Sequence, residues 1–210
     1  MQSRTSPPSE VEVISSRRLV DSFLKIDQHV IRHRKMDGGM SQPLPRMVIS
    51  KQDSIGVLLY HKERNSFVLV QQYRYATRKD NEGWMIEIVA GNIDEGESPS
   101  QCAVREVMEE TGYNVGLLTS IGQGYSSPGI STEKIFLFYG EVDDDMVDEQ
   151  GGGLEEEGED IMVVEWSIGH AREQLNNMRL MDLKTQIALQ WFFLNHSAGM
   201  SFRNSGEDIP

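Results

Sequence analysis

The sequence predicts an α/β protein, in which a layered α/β/α domain with a mixed sheet is preceded by a small N-terminal antiparallel β domain. Alternating, β-rich segments fill residues 11–50, and a second group of strands begins at Ser54. Helical patterns are interleaved with the later strands and follow them, which favours a layered domain. We expect residues 1–52 to be the N-terminal segment, 53–200 the main domain and 201–210 a disordered tail.

The N-terminal segment is expected to hold three strands, at Val11–Ser15, Leu24–Arg34 and Arg46–Ser50. The turn between the last two is marked by Asp37–Gly39. Strands of the main domain are expected at Ile55–Tyr60, Phe67–Arg74, Met85–Ala90, Gly122–Ser126, Lys134–Val142 and Ile161–Ser167. The chain is expected to close with helices at Ile168–Met178 and Leu183–His196.

The clearest helix signal spans Pro99–Thr111. Ser98 is a good N-cap, Pro99 suits the first helical position, and Gln101 completes a capping box. Gly112 supplies the left-handed residue that ends such a helix.

Charge and composition exclude several classes of function. The net charge of −13, from 33 acidic and 20 basic residues, would repel a nucleic-acid backbone. No apolar run reaches the roughly 20 residues of a membrane helix, and no signal peptide is recognisable, so we expect a cytoplasmic protein. A small anionic ligand remains compatible with the charge, because a bound divalent cation inverts the local sign.

Three glutamates of the predicted helix, Glu106, Glu109 and Glu110, are spaced to share one face. Such faces are more often solvated surface, and Arg105 can pair with Glu109 four residues later. One arginine does not neutralise three carboxylates and Glu97 just ahead of the helix. A hard divalent cation such as Mg²⁺ would.

The surrounding residues favour the metal interpretation. Gly91, then Glu97, then the run from Arg105 to Tyr113 reproduce a complete Nudix box over 23 residues. The sequence therefore resembles the Nudix hydrolases, with Tyr113 in place of the usual aliphatic residue. This resemblance implies a Nudix α/β/α sandwich.

The resemblance extends over residues 10–197 to the branch of ADP-ribose, GDP-mannose and UDP-sugar pyrophosphatases. Pro128, followed by Gly129, stands where that branch carries a proline associated with ADP-ribose use. The segment Gly151–Leu154 instead resembles the subgroup that cleaves GDP-mannose or UDP-glucose. Members of the branch are homodimers that pair through their N-terminal sheets.

The resemblance also implies a set of site residues. The metal ligands would be the Ala90 carbonyl, Glu106 and Glu110, with Glu97 as a further ligating or structural acid, and the metal would be Mg²⁺, for which Mn²⁺ can substitute. Glu109 would assist in the same shell or through water, and Arg105 would orient the glutamates. The general base would be a glutamate of the acidic loop at 155–160, for which Glu157 and Glu159 match best.

Substrate contacts follow from the same resemblance. Arg74 would contact the phosphates, and Arg46, Pro128 and Gly129 would lie near the substrate. Glu87 would either face the sugar or cap the sheet. The implied reaction is hydrolysis of a nucleoside diphosphate sugar, with ADP-ribose favoured and GDP-mannose or UDP-glucose as alternatives. A sensor that binds a nucleotide sugar without cutting it is the alternative of another class.

Overall fold

The computed structural model of the chain describes residues 9–148, 150–154, 156, 158–180 and 182–196. Contacts group them into two compact units. The first holds the described residues up to Asp53 together with Gly124–Ile135, and the second holds Ser54–Gln123 and the described residues from Phe136 onward. Residues 124–135 were expected in the main domain. The expected tail, 201–210, lies outside the described residues.

The first unit contains a three-stranded antiparallel sheet in the order β1-β2-β3. Its strands are β1 (Val11–Asp21), β2 (Lys25–His33) and β3 (Leu44–Ser50). The small N-terminal antiparallel sheet is therefore confirmed. β1 runs six residues beyond its expected end, because polar cross-strand pairs such as Arg18 with Asp27 (2.6 Å) continue the ladder where the apolar alternation stops.

The second unit holds most of a six-stranded sheet. Its strands are β4 (Ser54–His61), β5 (Ser66–Tyr73), β6 (Trp84–Glu87), β7 (Leu118–Tyr125), β8 (Lys134–Val142) and β9 (Met162–Ser167). The order is β6-β5-β4-β8-β7, with β9 pairing antiparallel to β5. β6 ends before its expected limit, and the chain from Val89 to Asn92 instead makes isolated bridges to β4.

The helices are α1 (Arg78–Asn81), α2 (Pro99–Thr111), α3 (Ile168–Asn176) and α4 (Leu183–His196). α2 has the predicted bounds and capping box, and it ends at Gly112 with a φ of 76°. α3 ends two residues early, because Met178 takes a left-handed φ of 53°. Within the described residues, no helix combines the length and apolarity needed to cross a lipid bilayer.

Alternation along β5 shows how the layers are arranged. Val68 and Val70 pack in the core cluster with Val107 of α2, whereas Phe67 meets Phe192 of α4 edge to face at 4.8 Å. Because successive strand residues point to opposite faces, α2 and α4 cover opposite faces of the sheet. The predicted α/β/α sandwich is confirmed, and α2 is fixed by its buried side on the central strands.

Candidate active site

Glu106 and Glu110 lie one turn apart on the side of α2 that packs inward. Their relative exposures are only 8% and 0%. The backbone after β6 comes directly against them: Ala90 N donates to Oε2 of Glu110 over 3.3 Å, and a Cβ added to Gly91 would lie 1.8 Å from Oε1 of Glu106. The structure thus brings together Ala90, Gly91 and two of the three box glutamates.

Arg105 connects the remaining acids to this pair. Its Nε and Nη2 donate to the two oxygens of Glu97, each over 3.0 Å, in a bidentate pair. Its Nη1 donates to Oε1 of Glu106 over 2.9 Å and to Oε2 of Glu109 over 3.0 Å. The expected pair with Glu109 is therefore present, and one guanidinium aligns three carboxylates.

Burial makes these carboxylates hard to ionise. Loss of hydration raises the pKa of Glu106 to about 7, against an opposing effect of Arg105. Burial, and then the charge of Glu106, raise the pKa of Glu110 well above its usual range. Glu97 behaves oppositely, since the hydrogen bonds from Arg105 lower its pKa. The buried pair therefore requires protons or a cation to offset its charge.

The arrangement of oxygens bears on metal binding. Oε1 of Glu110 is buried and has no hydrogen-bond partner among the described residues. Over the same residues, no three His, Cys, Asp or Glu side chains already stand as a ligand group. Arg105 instead holds oxygens of Glu106 and Glu109 in hydrogen bonds.

The acidic loop returns to the same end of α2. The charge of Glu159 is among the smaller causes that raise the pKa of Glu106 and of Glu110. Its Oε2 accepts a hydrogen bond from Leu154 N over 3.0 Å. Glu157, the other candidate base, lies outside the described residues.

Arg74 lies just beyond the end of β5 and is held by a buried glutamate. Its Nε donates to Oε1 of Glu87 over 2.9 Å and its Nη2 to Oε2 over 3.3 Å. Lys184, at the start of α4, donates to the same Oε2 over 3.3 Å. Glu87 is only 3% exposed, so two cations compensate its buried charge.

Lys184 and its partner Asp182 were not among the site residues predicted from the sequence. Asp182 accepts from Lys184 over 2.8 Å and caps α4 by accepting from Thr185 N over 2.9 Å. Thr185 Oγ1 accepts in turn from Ile88 N over 2.9 Å. The one available signal was the Asp182 to Thr185 spacing of a helix cap, which does not reveal that the cap meets β6.

Replacing Glu87 with Gln is expected to lower the free energy of unfolding by about 3 kcal/mol. The change removes the carboxylate that compensates the positive charges of Arg74 and Lys184, which are partly buried. Urea unfolding would measure this free energy. Lys62→Met is the comparison: it removes an exposed ion pair to Asp143 (2.8 Å) and is expected to destabilise the protein much less than Glu87→Gln. Equal losses in the two variants would contradict the role given to Glu87.

Arg46, Pro128 and Gly129 belong to the first unit. Arg46 is exposed on β3, and its Nη1 donates to Pro45 O over 2.9 Å. Pro128 and Gly129 are exposed in a turn closed by a hydrogen bond from Ile130 N to Ser127 O over 3.0 Å. Their expected proximity to a substrate stays a prediction.

Comparison with known proteins agrees with this geometry. A NUDIX domain model matches residues 50–180, more than half of the chain. The GDP-mannose pyrophosphatase of Pectobacterium atrosepticum is 32% identical over 184 residues, which cover 87% of this chain and 93% of the relative. The GDP-mannose pyrophosphatase of Cronobacter sakazakii is 35% identical, covering 83% and 85%. The ADP-ribose pyrophosphatase of Escherichia coli (strain K12) is 33% identical, covering 90% and 91%.

The matched span contains the features that define the site. It includes the turn at Ala90 and Gly91, the buried glutamates of α2, the arginine that aligns them and the acidic loop. Identity above 30% over most of both chains also exceeds what a shared fold alone would give. The chain belongs to the Nudix family of hydrolases.

Proposed function

We propose that this enzyme hydrolyses the diphosphate bond of a nucleoside diphosphate sugar, with ADP-ribose favoured as substrate. The products would then be AMP and ribose 5-phosphate. The observation that carries the proposal is the buried pair Glu106 and Glu110 at the Ala90 turn, aligned through Arg105. The ADP-ribose and GDP-mannose pyrophosphatases among the relatives support the substrate class.

The residues present fit a divalent metal, which pyrophosphatases of this family generally need. Oε1 of Glu110 is a buried oxygen without a partner in the described structure, and hard cations prefer such oxygens. Glu106, Glu110, the Ala90 carbonyl and Glu97 would hold the ion, with Mg²⁺ favoured and Mn²⁺ able to substitute. Once bound, such an ion supplies charge neutralisation and Lewis-acid polarisation at the diphosphate.

The remaining residues act on the water and the phosphates. The carboxylate of Glu159 or Glu157 would take the proton of the attacking water, as a general base must. Arg105 would keep Glu106 and Glu109 in place. Glu87 fixes Arg74 through Nε and Nη2, and Nη1 of the same guanidinium would donate to a phosphate oxygen.

The base and sugar of the substrate remain a choice between close alternatives. Relatives named for GDP-mannose and for ADP-ribose are similar to this chain to nearly the same degree, 32–35% and 33%. Pro128 and Gly129 favour ADP-ribose, whereas Gly151–Leu154 favours GDP-mannose, with UDP-glucose as a third option. A non-hydrolytic sensor is disfavoured, because a protein that only binds would not need Glu106, Glu109 and Glu110 to be intact.

A substrate panel tests the proposal directly. The purified protein with Mg²⁺ would be given ADP-ribose, GDP-mannose, UDP-glucose and a dinucleoside polyphosphate, and products would be resolved by chromatography. We expect a nucleoside monophosphate and a sugar phosphate, released fastest from ADP-ribose. Tight binding of a nucleotide sugar without product would establish the sensor instead.

Stabilisation by Mg²⁺ is expected to grow with pH. Without metal, burial raises the pKa of Glu106 to about 7 in the folded protein, against an ordinary 4.5. Protonation of Glu106 therefore stabilises the folded protein fully below about pH 4.5, and this stabilisation is lost as the pH rises through about 7. A cation replaces the proton and restores that stability, so the rise in Tm on adding Mg²⁺ should be larger at about pH 8 than at about pH 6. Thermal scans at both pH values measure it. An equal rise in both, or an unchanged pattern in Glu106→Gln, would count against the site.

A homodimer and a cytoplasmic location belong to the same proposal. All eleven residues of β1 are exposed, and they include the apolar Val11, Val13 and Ile14 at 57%, 59% and 48%. A second copy of the chain would cover this edge strand. Sedimentation analysis of the intact protein would give the oligomeric state.

A further inference from the structure

Three consecutive glycines open the acidic loop in left-handed backbone conformations. Gly151, Gly152 and Gly153 have φ values of 65°, 112° and 80°. Residues with a side chain are strained at such angles, whereas glycine adopts them freely. The composition alone suggests a flexible hinge that lets the loop close over a substrate. The contacts of these residues indicate a different role.

The glycine backbone is hydrogen-bonded to the last turn of α2. Gly152 N donates to the carbonyl of Glu110 over 3.0 Å, and Gly153 N donates to the carbonyl of Glu109 over 2.9 Å. The last carbonyls of a helix have no partner within the helix, so these bonds satisfy them. The loop is therefore attached at the two residues that carry box carboxylates.

The approach is too close for any side chain. A Cβ on Gly151 would lie 2.6 Å from the carbonyl carbon of Thr111 and 2.8 Å from Gly112 N, both backbone atoms that cannot turn away. A Cβ on Gly153 would instead lie 2.6 Å from Oε2 of Glu159, which is a side-chain atom. Gly151 thus fits against the helix, and Gly153 fits against the candidate base.

The chain then folds back on the anchored glycines. Ile161 N donates to Gly152 O over 3.2 Å, Glu159 N donates to Leu154 O over 3.2 Å, and Leu154 N donates to Oε2 of Glu159 over 3.0 Å. Glu159 is consequently fixed by the same backbone that is bonded to the last turn of α2. The position of Glu159 is therefore coupled to that of Glu110 through these hydrogen bonds.

We propose that Gly151 and Gly153 are positioning residues, which dock the acidic loop on the end of α2 and so set Glu159 against the turn that carries Glu109 and Glu110. The proposal rests on the proposed function in treating Glu159 as the general base. The glycines then act as a fixed attachment point of the loop and not as a hinge. Substitution at either glycine should then impair the chemical step more than substrate binding.

Gly153→Ala and Gly151→Ala test this against Gly38→Ala. Gly38 is also left-handed, with a φ of 87°, but an added Cβ there meets nothing within 4 Å, so the control carries the backbone strain without the contact. We expect kcat to fall about 100-fold in both loop variants with little change in KM, since a small misplacement of a catalytic group has that effect. Gly38→Ala should keep the wild-type kcat. In Gly153→Ala the three atoms nearest to the added Cβ belong to side chains, so this variant tests the proposal even if Gly151→Ala does not fold.

A double-mutant cycle separates positioning from general damage. If Gly153 acts through Glu159, Gly153→Ala should cost little further activity in a Glu159→Gln background, so the two losses are strongly non-additive. Losses that simply multiply would overturn the proposal. So would a folded Gly153→Ala with the wild-type kcat.

Proteolysis provides a readout that does not need activity. In metal-free protein, glutamyl endopeptidase should cut after Glu159 at least about 10-fold faster in Gly151→Ala or Gly153→Ala than in wild type, because the hydrogen bonds between Glu159 and Leu154 protect this site. Mass spectrometry locates the cuts, and Gly38→Ala should match wild type. If wild type hydrolysed no nucleotide sugar yet showed this protection, the proposed function would fail and the docking would stand. Equal cleavage in all proteins would overturn the docking itself.

Discussion

Glu110→Gln is expected to lower kcat by at least about 1000-fold while the protein stays folded. Loss of a group that merely supports a metal ligand typically costs 10–100-fold, and removal of a ligand should cost more. Glutamine keeps the size of the side chain and can still accept the hydrogen bond from Ala90 N. What it removes is the carboxylate charge at Oε1, which is buried and has no hydrogen-bond partner in the part of the chain that the structure describes.

The stability of the same variant should move in the opposite direction to its activity. Glu110 is fully buried beside Glu106, and both burial and that neighbouring charge disfavour its ionised form. A neutral amide relieves this repulsion, so the metal-free variant should have a Tm equal to or above that of wild type. It should also lose most of the Tm rise that Mg²⁺ gives the wild type.

Glu173→Gln is the matched control, because it makes the same chemical change at an exposed position of α3. It should leave kcat, Tm and the effect of Mg²⁺ unchanged. Steady-state kinetics with the best substrate of the panel and thermal scans with and without Mg²⁺ give all three quantities. Near-normal turnover by Glu110→Gln would remove Glu110 from the set of ligands.

Local signals explain the parts of the structure that were predictable from sequence. α2 has the expected bounds because its cap, its first-turn proline and its terminal glycine all act within a few residues of the helix. The shared face of Glu106 and Glu110 follows from helical periodicity alone. The same periodicity does not say whether that face is solvated, and here the turn at Gly91 buries it.

Long-range contacts account for what the sequence did not reveal. Glu87 of β6 accepts hydrogen bonds from Arg74 and from Lys184 of α4, and Lys184 lies 97 positions further along the chain, so no local pattern encodes this cluster. The glycine triplet looks like a hinge in sequence because glycine is equally suited to flexibility and to close approach. Only the position of α2 distinguishes the two. Residues 124–135 likewise join the first unit through contacts that their own composition does not indicate.

Gly91→Ala is expected to reduce kcat by about 100-fold through one displaced carboxylate. An added Cβ would lie 1.8 Å from Oε1 of Glu106, 1.9 Å from its Cδ and 2.5 Å from its Cγ. Non-bonded atoms do not approach so closely, so the side chain of Glu106 must turn away. Its hydrogen bond from Arg105, 2.9 Å long, should be lost or rearranged at the same time. The nearest atoms belong to a flexible side chain, so the fold should survive.

Comparison with Gly169→Ala separates this effect from any general effect of an added methyl group. Gly169 lies on α3, where a Cβ meets nothing within 4 Å, and alanine favours a helix by about 1 kcal/mol over glycine. That variant should keep the wild-type kcat with an equal or higher Tm. The decisive measurement is Gly91→Ala in a Glu106→Gln background, where little further loss is expected because the displaced carboxylate is already gone. If the second substitution lowered kcat by another 100-fold, Gly91 would act on catalysis by a route other than the placement of Glu106.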